Sequence, residues 1–299
     1  FYRDFNGPFS LGWKYIYQTV KTLCALWRKR PDALICMSPS PMTALPVWLY
    51  CVCFRRKFAI DAHTAAFIHP RWEKAPWIQG FFSRRAAATL VTNSYLRDQG
   101  ERLHATALVV PDCPTETEAP HKADLPAGFN VVYAASYGID EPLEAVLAAA
   151  EANPDVTIHV TGRPKGKAVE LLAAAPENIR LTGFLSRADY LALVAGADAV
   201  VSLTTRDHTM QRAAYEAVYL GTPAILSDWP VLRENFTPGC LFCQNTAESI
   251  GHKLAECRTN HDAMREKTRE LRDRKLALWQ KNAETLRERL MPGPSPNEK

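Results

Sequence analysis

Short apolar runs alternate with helical stretches along almost the whole chain, and that alternation leaves few folds open. Residues 32–38, 57–63, 88–93 and 107–111 each read as a short, mostly apolar strand. Helical stretches are expected at about 12–30, 41–53, 76–86 and 94–103. The second half repeats the pattern more cleanly, with strands expected at 130–136, 156–162, 179–183, 199–204 and 223–228. Helices are expected between them at 141–152, 165–174, 187–195 and 209–220. Ser186 with Asp189 three residues later reads as a capping box, and Gly221 as a C-cap. Unbroken apolar strands are buried on both faces, so strand–helix–strand repetition means a parallel sheet covered by helices on each side.

Residues 111–128 interrupt this pattern with four prolines, which break any helix or central strand. The expected organisation is therefore one α/β domain over 1–110, a linker over 111–128, and a second α/β domain over 129–290. Two Rossmann-like domains of this kind would leave a cleft between them. The second is expected to end in a charged helix, 261–290, with Leu271, Leu276, Leu278, Trp279, Leu286 and Leu290 as its apolar stripe. A disordered tail is expected over 291–299. The sequence opens at Phe1 with neither an initiator methionine nor a strand, so the first domain is expected to lack its N-terminal strand.

With 47% hydrophobic and 23% charged residues, the composition is that of a soluble globular protein, not a disordered or collagen-like one. The longest mainly apolar run, 42–54, is interrupted by Pro46 and falls short of the roughly 20 residues that span a bilayer. Charge is unevenly spread. Residues 1–110 carry 15 Lys/Arg against 6 Asp/Glu, a balance of +9, whereas the remainder carries 21 against 26, a balance of −5. A basic half suggests an anionic partner, although a solvated basic surface accounts for it equally well. Trp13, Trp27, Trp48, Trp72 and Trp77 all lie in that half. Tryptophan beside Lys and Arg is the composition of a membrane interface, and the same set would serve nucleic-acid stacking; core packing is the alternative for several of these rings. No nucleic-acid motif accompanies them, so no nucleic-acid partner is expected.

Eight cysteines are scattered along the chain, with Cys24 and Cys36 expected in the core. Cys240 and Cys243 form a lone CxxC without the second ligand pair that zinc requires, so no metal is expected. Reduced buried thiols suit a cytoplasmic protein.

In open parallel sheets, ligands bind at the carboxyl ends of the strands. The strand at 199–204 runs into the polar loop Thr204, Thr205, Arg206, Asp207, His208 and Thr209, then into a helix holding Met210, Gln211, Arg212 and Glu216. Unpaired N–H groups at a helix N-terminus attract phosphate, and Arg206 and Arg212 would add charge-assisted contacts. Glu216, two turns in, suits a ribose diol. A second strand-to-helix turn carries Gly162, Arg163, Lys165 and Lys167. It suits phosphate, and a solvated turn accounts for it about as well. There is no Walker motif and no GxGxxG. In the first half, Asp61 and His63 stand two apart at a strand end and so share a face. Imidazole suits general-base work on a hydroxyl; a structural hydrogen bond is the alternative.

The run Glu216-Ala-Val-Tyr-Leu-Gly-Thr-Pro223, continuing to Asp228, resembles the E-A-x-x-x-G-x-P signature of GT-B glycosyltransferases, and of family 4 most. The stretches 178–186 and 197–202 fit the same donor domain, so the resemblance covers roughly 128–260 in order. It implies that a nucleotide-diphosphate sugar is the co-substrate, bound mainly by the second domain, with no further cofactor. Glu216 would hold the donor ribose, and Gly183, Phe184 and Leu185 would lie by the base. The loop from Thr204 to Gln211 would face the diphosphate and sugar. The basic first domain would then be the acceptor and membrane side.

The sequence departs from the family at two places. His208 stands where an acidic residue is usual, and the stretch from Ala135 to Glu141 lacks the usual Arg and Lys. Arg163, Lys165, Arg206 or Arg212 would have to stabilise the leaving diphosphate instead. The small residues running into acids there, and Asp61-x-His63, are similar to mannosyltransferases acting on chitobiosyl-diphosphodolichol. That similarity implies a glycan or lipid-linked acceptor. Peripheral contact with an anionic membrane is expected separately, from the +9 charge of residues 1–110 and their tryptophans, at the inner face for a cytoplasmic protein. A GT-B-fold sugar-nucleotide epimerase and a decayed nucleotide-sugar-binding module are the other two readings.

Overall fold

The computed structural model describes residues 10–114, 119 and 121–291 of the 299. The expectations for the opening residues 1–9 and for the tail beyond 291 therefore lie outside the described residues. The chain packs as two α/β units. One is drawn from residues up to Pro111 together with the stretch from Leu278; the other is Asp112–Ala277.

The first unit begins with α1 (Ser10–Lys29), β1 (Ala33–Ser38), α2 (Ala44–Phe54) and β2 (Lys57–Ala62). Three short helices follow, α3 (Thr64–Ile68), α4 (Pro70–Glu73) and α5 (Pro76–Ser83). The run closes with β3 (Ala88–Val91), α6 (Ser94–Arg102) and β4 (Ala107–Val109). The strands form a parallel sheet in the order β1-β2-β3-β4. Its core holds Phe58, Ile60 and Ala62 of β2 against Val47, Tyr50 and Cys51 of α2. Trp48 packs edge-on to Phe81, with centroids 5.1 Å apart, and so belongs to this core rather than to a surface. Cys24, expected inside, is exposed, because it falls on the outward side of α1.

The second unit runs β5 (Phe129–Tyr133), α7 (Leu143–Glu151), β6 (Val156–Thr161), α8 (Lys167–Ala173) and β7 (Ile179–Gly183). It continues with α9 (Arg187–Gly196), β8 (Ala199–Ser202), α10 (Arg212–Leu220) and β9 (Ala224–Ser227). Then come α11 (Pro230–Phe236), β10 (Cys240–Cys243), α12 (Ala247–Thr259) and α13 (His261–Leu290), of which only the part up to Ala277 belongs to this unit. Its six-stranded sheet has the order β10-β9-β8-β5-β6-β7, with every pair parallel. Alternate residues of β5 point to opposite faces. Val131 and Tyr133 join a core with Val146, Ile158, Ile250 and Leu254, while Val132 joins one with Leu193, Val200, Val218 and Leu232. Both faces are thus covered by helices, as a strand with apolar residues on each face requires.

The CxxC falls on β10. Residues three apart on a strand face opposite ways, and the two thiols accordingly sit in the two different cores. They share neither a metal nor a disulfide. Burial pushes both thiols up to about 12, which keeps them protonated.

In the segment expected as a linker, Asp112 and Ala123 bond to the second unit. The Tyr219 hydroxyl donates to the Asp112 carbonyl at 2.7 Å, and the Ala123 N–H to the Ala192 carbonyl at 3.0 Å. Helix α13 does not belong wholly to the second domain as expected. Its final residues Leu286 and Leu290 pack with Ala59, Ala88 and Leu90 of the first unit. Its buried positions are Met264, Thr268, Leu271, Lys275, Asn282 and Leu290, whereas Leu278 is exposed. The polar members have partners: Thr268 donates to the Gly239 carbonyl and Asn282 to the Val109 carbonyl, each at 2.8 Å. Lys275 lies over the rings of Tyr215 and Phe236, and burial lowers its pKa to about 8.

His159 of β6 is buried, with Nε2 3.0 Å from Asn130 Oδ1. Burial lowers its pKa below the ordinary 6.5, and the nearby Arg180 lowers it further. The unfolded chain therefore binds a proton that the folded one refuses. Stability from this group is complete above pH 6.5 and is lost as the pH falls from there through the folded pKa. Urea midpoints are expected to drop over that acid range, and to drop less in His159→Gln.

Candidate functional site

Strand β5 is where the order of the second sheet reverses, since β6 lies on one side of it and β8 on the other. The crevice at the carboxyl ends of such a pair is where open parallel sheets bind ligands. Two loops meet there. The loop after β8 is held by Thr204, which is buried. The Thr204 N–H donates to Ser227 Oγ at 2.8 Å, and its carbonyl accepts from Trp229 Nε1 and Asn245 Nδ2, both at 2.9 Å. Asp140, from the loop after β5, ties the two loops together. Its carboxylate accepts from Thr204 Oγ1 at 2.9 Å and lies 3.8 Å from Arg206 Nε, while its carbonyl accepts from the Thr205 N–H at 2.8 Å.

The loop after β5 holds its own anion. Ser136 and Tyr137 point their backbone N–H groups at the Glu141 carboxylate, 2.9–3.1 Å away, and the Ser136 hydroxyl adds a third donor at 2.5 Å. Tyr137 takes up a left-handed φ of 58°. Successive N–H groups turned to one side make an anion cradle, here filled by a side chain.

Glu216 projects from α10 with its side chain only 12% exposed. Arg187 Nη1 is 2.5 Å and Arg212 Nε 3.0 Å from the same carboxylate oxygen. The Tyr190 phenol also hydrogen-bonds to Glu216; burial foremost, then this carboxylate, raises the phenol's pKa. Both arginines occupy the first position of a helix, α9 and α10, where the helix dipole disfavours a cation. Glu216 offsets both. The α9 start is fixed by Ser186, whose Oγ accepts from the Asp189 N–H at 3.2 Å and donates to its carboxylate at 2.7 Å.

Beside this cluster lies a cavity of about 290 Å³ whose wall includes Gly162, Phe184, Leu185, Arg187 and Tyr190. Phe184 is 76% exposed, an aromatic face open for stacking. Gly183 precedes it at a φ of 68°.

The structure thus groups Thr204, Thr205 and Arg206 around Asp140, groups Arg212 with Glu216, and lines one cavity with Gly162, Phe184 and Leu185. Gln211 Oε1 accepts from Ser202 Oγ at 3.1 Å, just ahead of α10. Other candidates stand apart. Lys165 lines a second cavity, of about 390 Å³, with Tyr137, Glu141 and Lys167. Arg163 is exposed on the same turn. His208 faces Asp207, with Nδ1 3.5 Å from Oδ1, and Met210 packs against the core beneath the loop. Asp61 and His63 lie in the first unit at the carboxyl end of β2, with Nε2 3.7 Å from Oδ2.

Reading the sequence missed Arg187, Tyr190, Asp140 and Glu141 as partners at the site. For Arg187 a signal exists: a cation directly after an N-cap serine opposes the helix dipole and asks for a compensating anion. Among the described residues, no group of three or more His, Cys, Asp or Glu is placed to hold a metal ion.

Residues 130–260 match the family model described as glycosyl transferases group 1. No curated protein matches the chain by sequence. Three solved structures similar to it are the sucrose-phosphate synthase of Thermosynechococcus elongatus, a glycosyltransferase of Rickettsia africae and the Anabaena protein Alr3699/HepE in complex with UDP-glucose. The synthase superposes with a TM-score of 0.73 at 15% identity, over 95% of this chain and 78% of its own. The Rickettsia enzyme gives 0.69 at 13%, over 98% and 85%. The Anabaena protein gives 0.65 at 14%, over 90% and 81%. At such identities the likeness establishes the fold: two α/β units with parallel sheets, of the GT-B type.

Gly162 is the tightest backbone position at the site. Its φ is 88°, and an added Cβ would lie 2.4 Å from the Ala135 carbonyl oxygen. Gly162→Ala is expected to destabilise the protein by about 2 kcal/mol or more, read by urea denaturation.

Proposed function

We propose that this protein is a glycosyltransferase that moves a sugar from a nucleotide-diphosphate sugar to an acceptor hydroxyl. The observation that carries the reading is Glu216, held between Arg187 and Arg212 beside the aromatic-walled cavity, within the segment that matches the glycosyl transferase family model. A carboxylate there accepts both hydroxyls of a ribose, and Phe184 offers its ring to the base. The neighbouring structure that holds UDP-glucose supports a sugar nucleotide as donor.

In the transfer, the acceptor oxygen bonds to the anomeric carbon as the bond from that carbon to the diphosphate oxygen breaks. The electron pair leaves with the diphosphate. Arg206, Arg212 and the N-terminus of α10 would stabilise that developing charge, as preorganised donors do at transition states. The acceptor proton must pass to a base, and His63, with Asp61 beside it, is proposed for that role. With arginines supplying the positive charge, the reading calls for no metal or further cofactor. We assign the acceptor to the lipid-linked or polysaccharide glycans, on the family-4-like signature and the similarity of Asp61-x-His63 to mannosyltransferases of lipid-linked glycans. We assign the protein to the cytoplasmic side, in peripheral contact with a membrane, on its unpaired buried thiols and its basic, tryptophan-containing first half.

A second reading rests on Glu141. It fills an N–H cradle at the place where the family carries Arg and Lys, which suits a module that binds sugar nucleotides without turning them over. Two variants separate the readings. Glu216→Ala is expected to weaken binding of UDP or GDP about tenfold or more by calorimetry, since a buried carboxylate's hydrogen bonds are lost; unchanged affinity would sink the site assignment. Arg206→Ala is expected to cut acceptor-dependent release of nucleotide about a hundredfold. Wild-type protein that binds sugar nucleotide yet releases none with any acceptor would favour the binding module.

A further inference from the structure

Helix α1 is apolar on two sides. Leu23 and Leu26 pack onto the core of the first unit, which satisfies the helix as a structural element. A second row faces outward: Trp13, Ile16, Val20 and Trp27 are 62%, 55%, 54% and 63% exposed, and Cys24 is exposed with them. At about 100° per residue these five positions fall within an arc of about 80°, in a stripe about 21 Å long. Monomeric proteins seldom expose a contiguous apolar stripe without using it.

The charges beside the stripe say what covers it. Lys14, Lys21 and Arg28 are spaced by seven residues, so they form a row along one flank of the stripe. The helix ends in Arg28 and Lys29 and contains no acidic residue. A second copy set antiparallel, stripe to stripe, would bring these cationic rows together and repel. Trp13 and Trp27 offer nucleic-acid bases one ring at each end of the stripe, but the aliphatic Ile16 and Val20 between them give bases nothing to stack on, whereas acyl chains meet all four. A bilayer with anionic headgroups meets every feature: apolar side chains enter the acyl boundary, cations stay among the phosphates, and tryptophans sit at the interface. Among the described residues no helix is long and apolar enough to cross a membrane, so this is contact along a surface.

The geometry points to α1 as the docking helix of this protein, lying in the plane of an anionic membrane with Trp13, Ile16, Val20 and Trp27 inserted. This rests on the membrane-facing reading above and names the surface that serves it.

The test is sedimentation of the full chain with vesicles of phosphatidylcholine alone and of phosphatidylcholine with phosphatidylglycerol, at low and high salt. Wild-type protein, Trp13→Ser/Trp27→Ser and Ile16→Ser/Val20→Ser are compared, with circular dichroism and light scattering on each. The second pair guards against loss of the Trp27–Phe54 ring contact, whose centroids are 6.3 Å apart. Wild-type protein is expected to bind the anionic vesicles preferentially, and both variants about tenfold more weakly with their fold intact. Tryptophan fluorescence quenched by brominated lipid in the wild type would add direct support. Variants that bind as well as wild type would overturn the assignment of α1 while leaving the membrane reading standing. Wild-type protein that binds neither vesicle would overturn both. A dimer in solution that these substitutions dissociate would show a second copy on the stripe and overturn the proposal.

Discussion

Strand β5 is buried along its whole length, and the second unit is built outward from it. Because its residues are apolar on both sides, it must lie between two layers of helices, and parallel neighbours then add on each edge. The order of those neighbours reverses at β5, which opens the loops after β5 and β8 toward the same crevice. Asp140 joins those two loops through Thr204, Thr205 and Arg206, so the crevice is closed by short polar contacts rather than by packing. The nearby clustering of Glu216, Arg187 and Arg212 follows from the same architecture, since α9 and α10 both begin at carboxyl ends of strands.

Charge at this edge of the sheet is arranged against local preference. Two helices begin with arginine, and a backbone cradle fit for an anion holds Glu141. Natural sequences tolerate such conflicts where a ligand or a neighbouring side chain resolves them. Here Glu216 resolves the first. A ribose binding to Glu216 would have to share it with two guanidinium groups, which themselves suit phosphate. Under the proposed function, the site would thereby couple the sugar and phosphate parts of a nucleotide through one carboxylate.

Much of the fold was legible because each buried strand is a short apolar run; β7 lies where the sequence places it, at Ile179–Gly183. Strand β10 was not, because four residues ending in cysteines carry a metal-site pattern more visibly than a strand pattern. Helix α13 shows a different limit. Periodicity tells which positions of a helix turn inward but not which sheet they meet, and so the helix was assigned whole to one domain. Nor does hydropathy anticipate Lys275 and Asn282 in its buried seam, where aromatic faces and a free carbonyl accept them. At the site, Glu216, Arg212 and Phe184 could be read from local motif. Arg187 left only an indirect signal, its place after an N-cap serine, and Tyr190 and Asp140 left none, since their partners Glu216 and Thr204 lie far away in sequence.

The account stands on the second unit being a sugar-nucleotide site, and the thermal midpoint in the presence of sugar nucleotides tests that most directly. A panel of UDP-, GDP- and ADP-sugars at saturating concentration is predicted to contain at least one that stabilises the protein. The stabilisation expected is about 2.7 kcal/mol at a hundredfold excess over Kd, with the matching free sugar giving none. A panel in which no sugar nucleotide moves the midpoint would contradict the account.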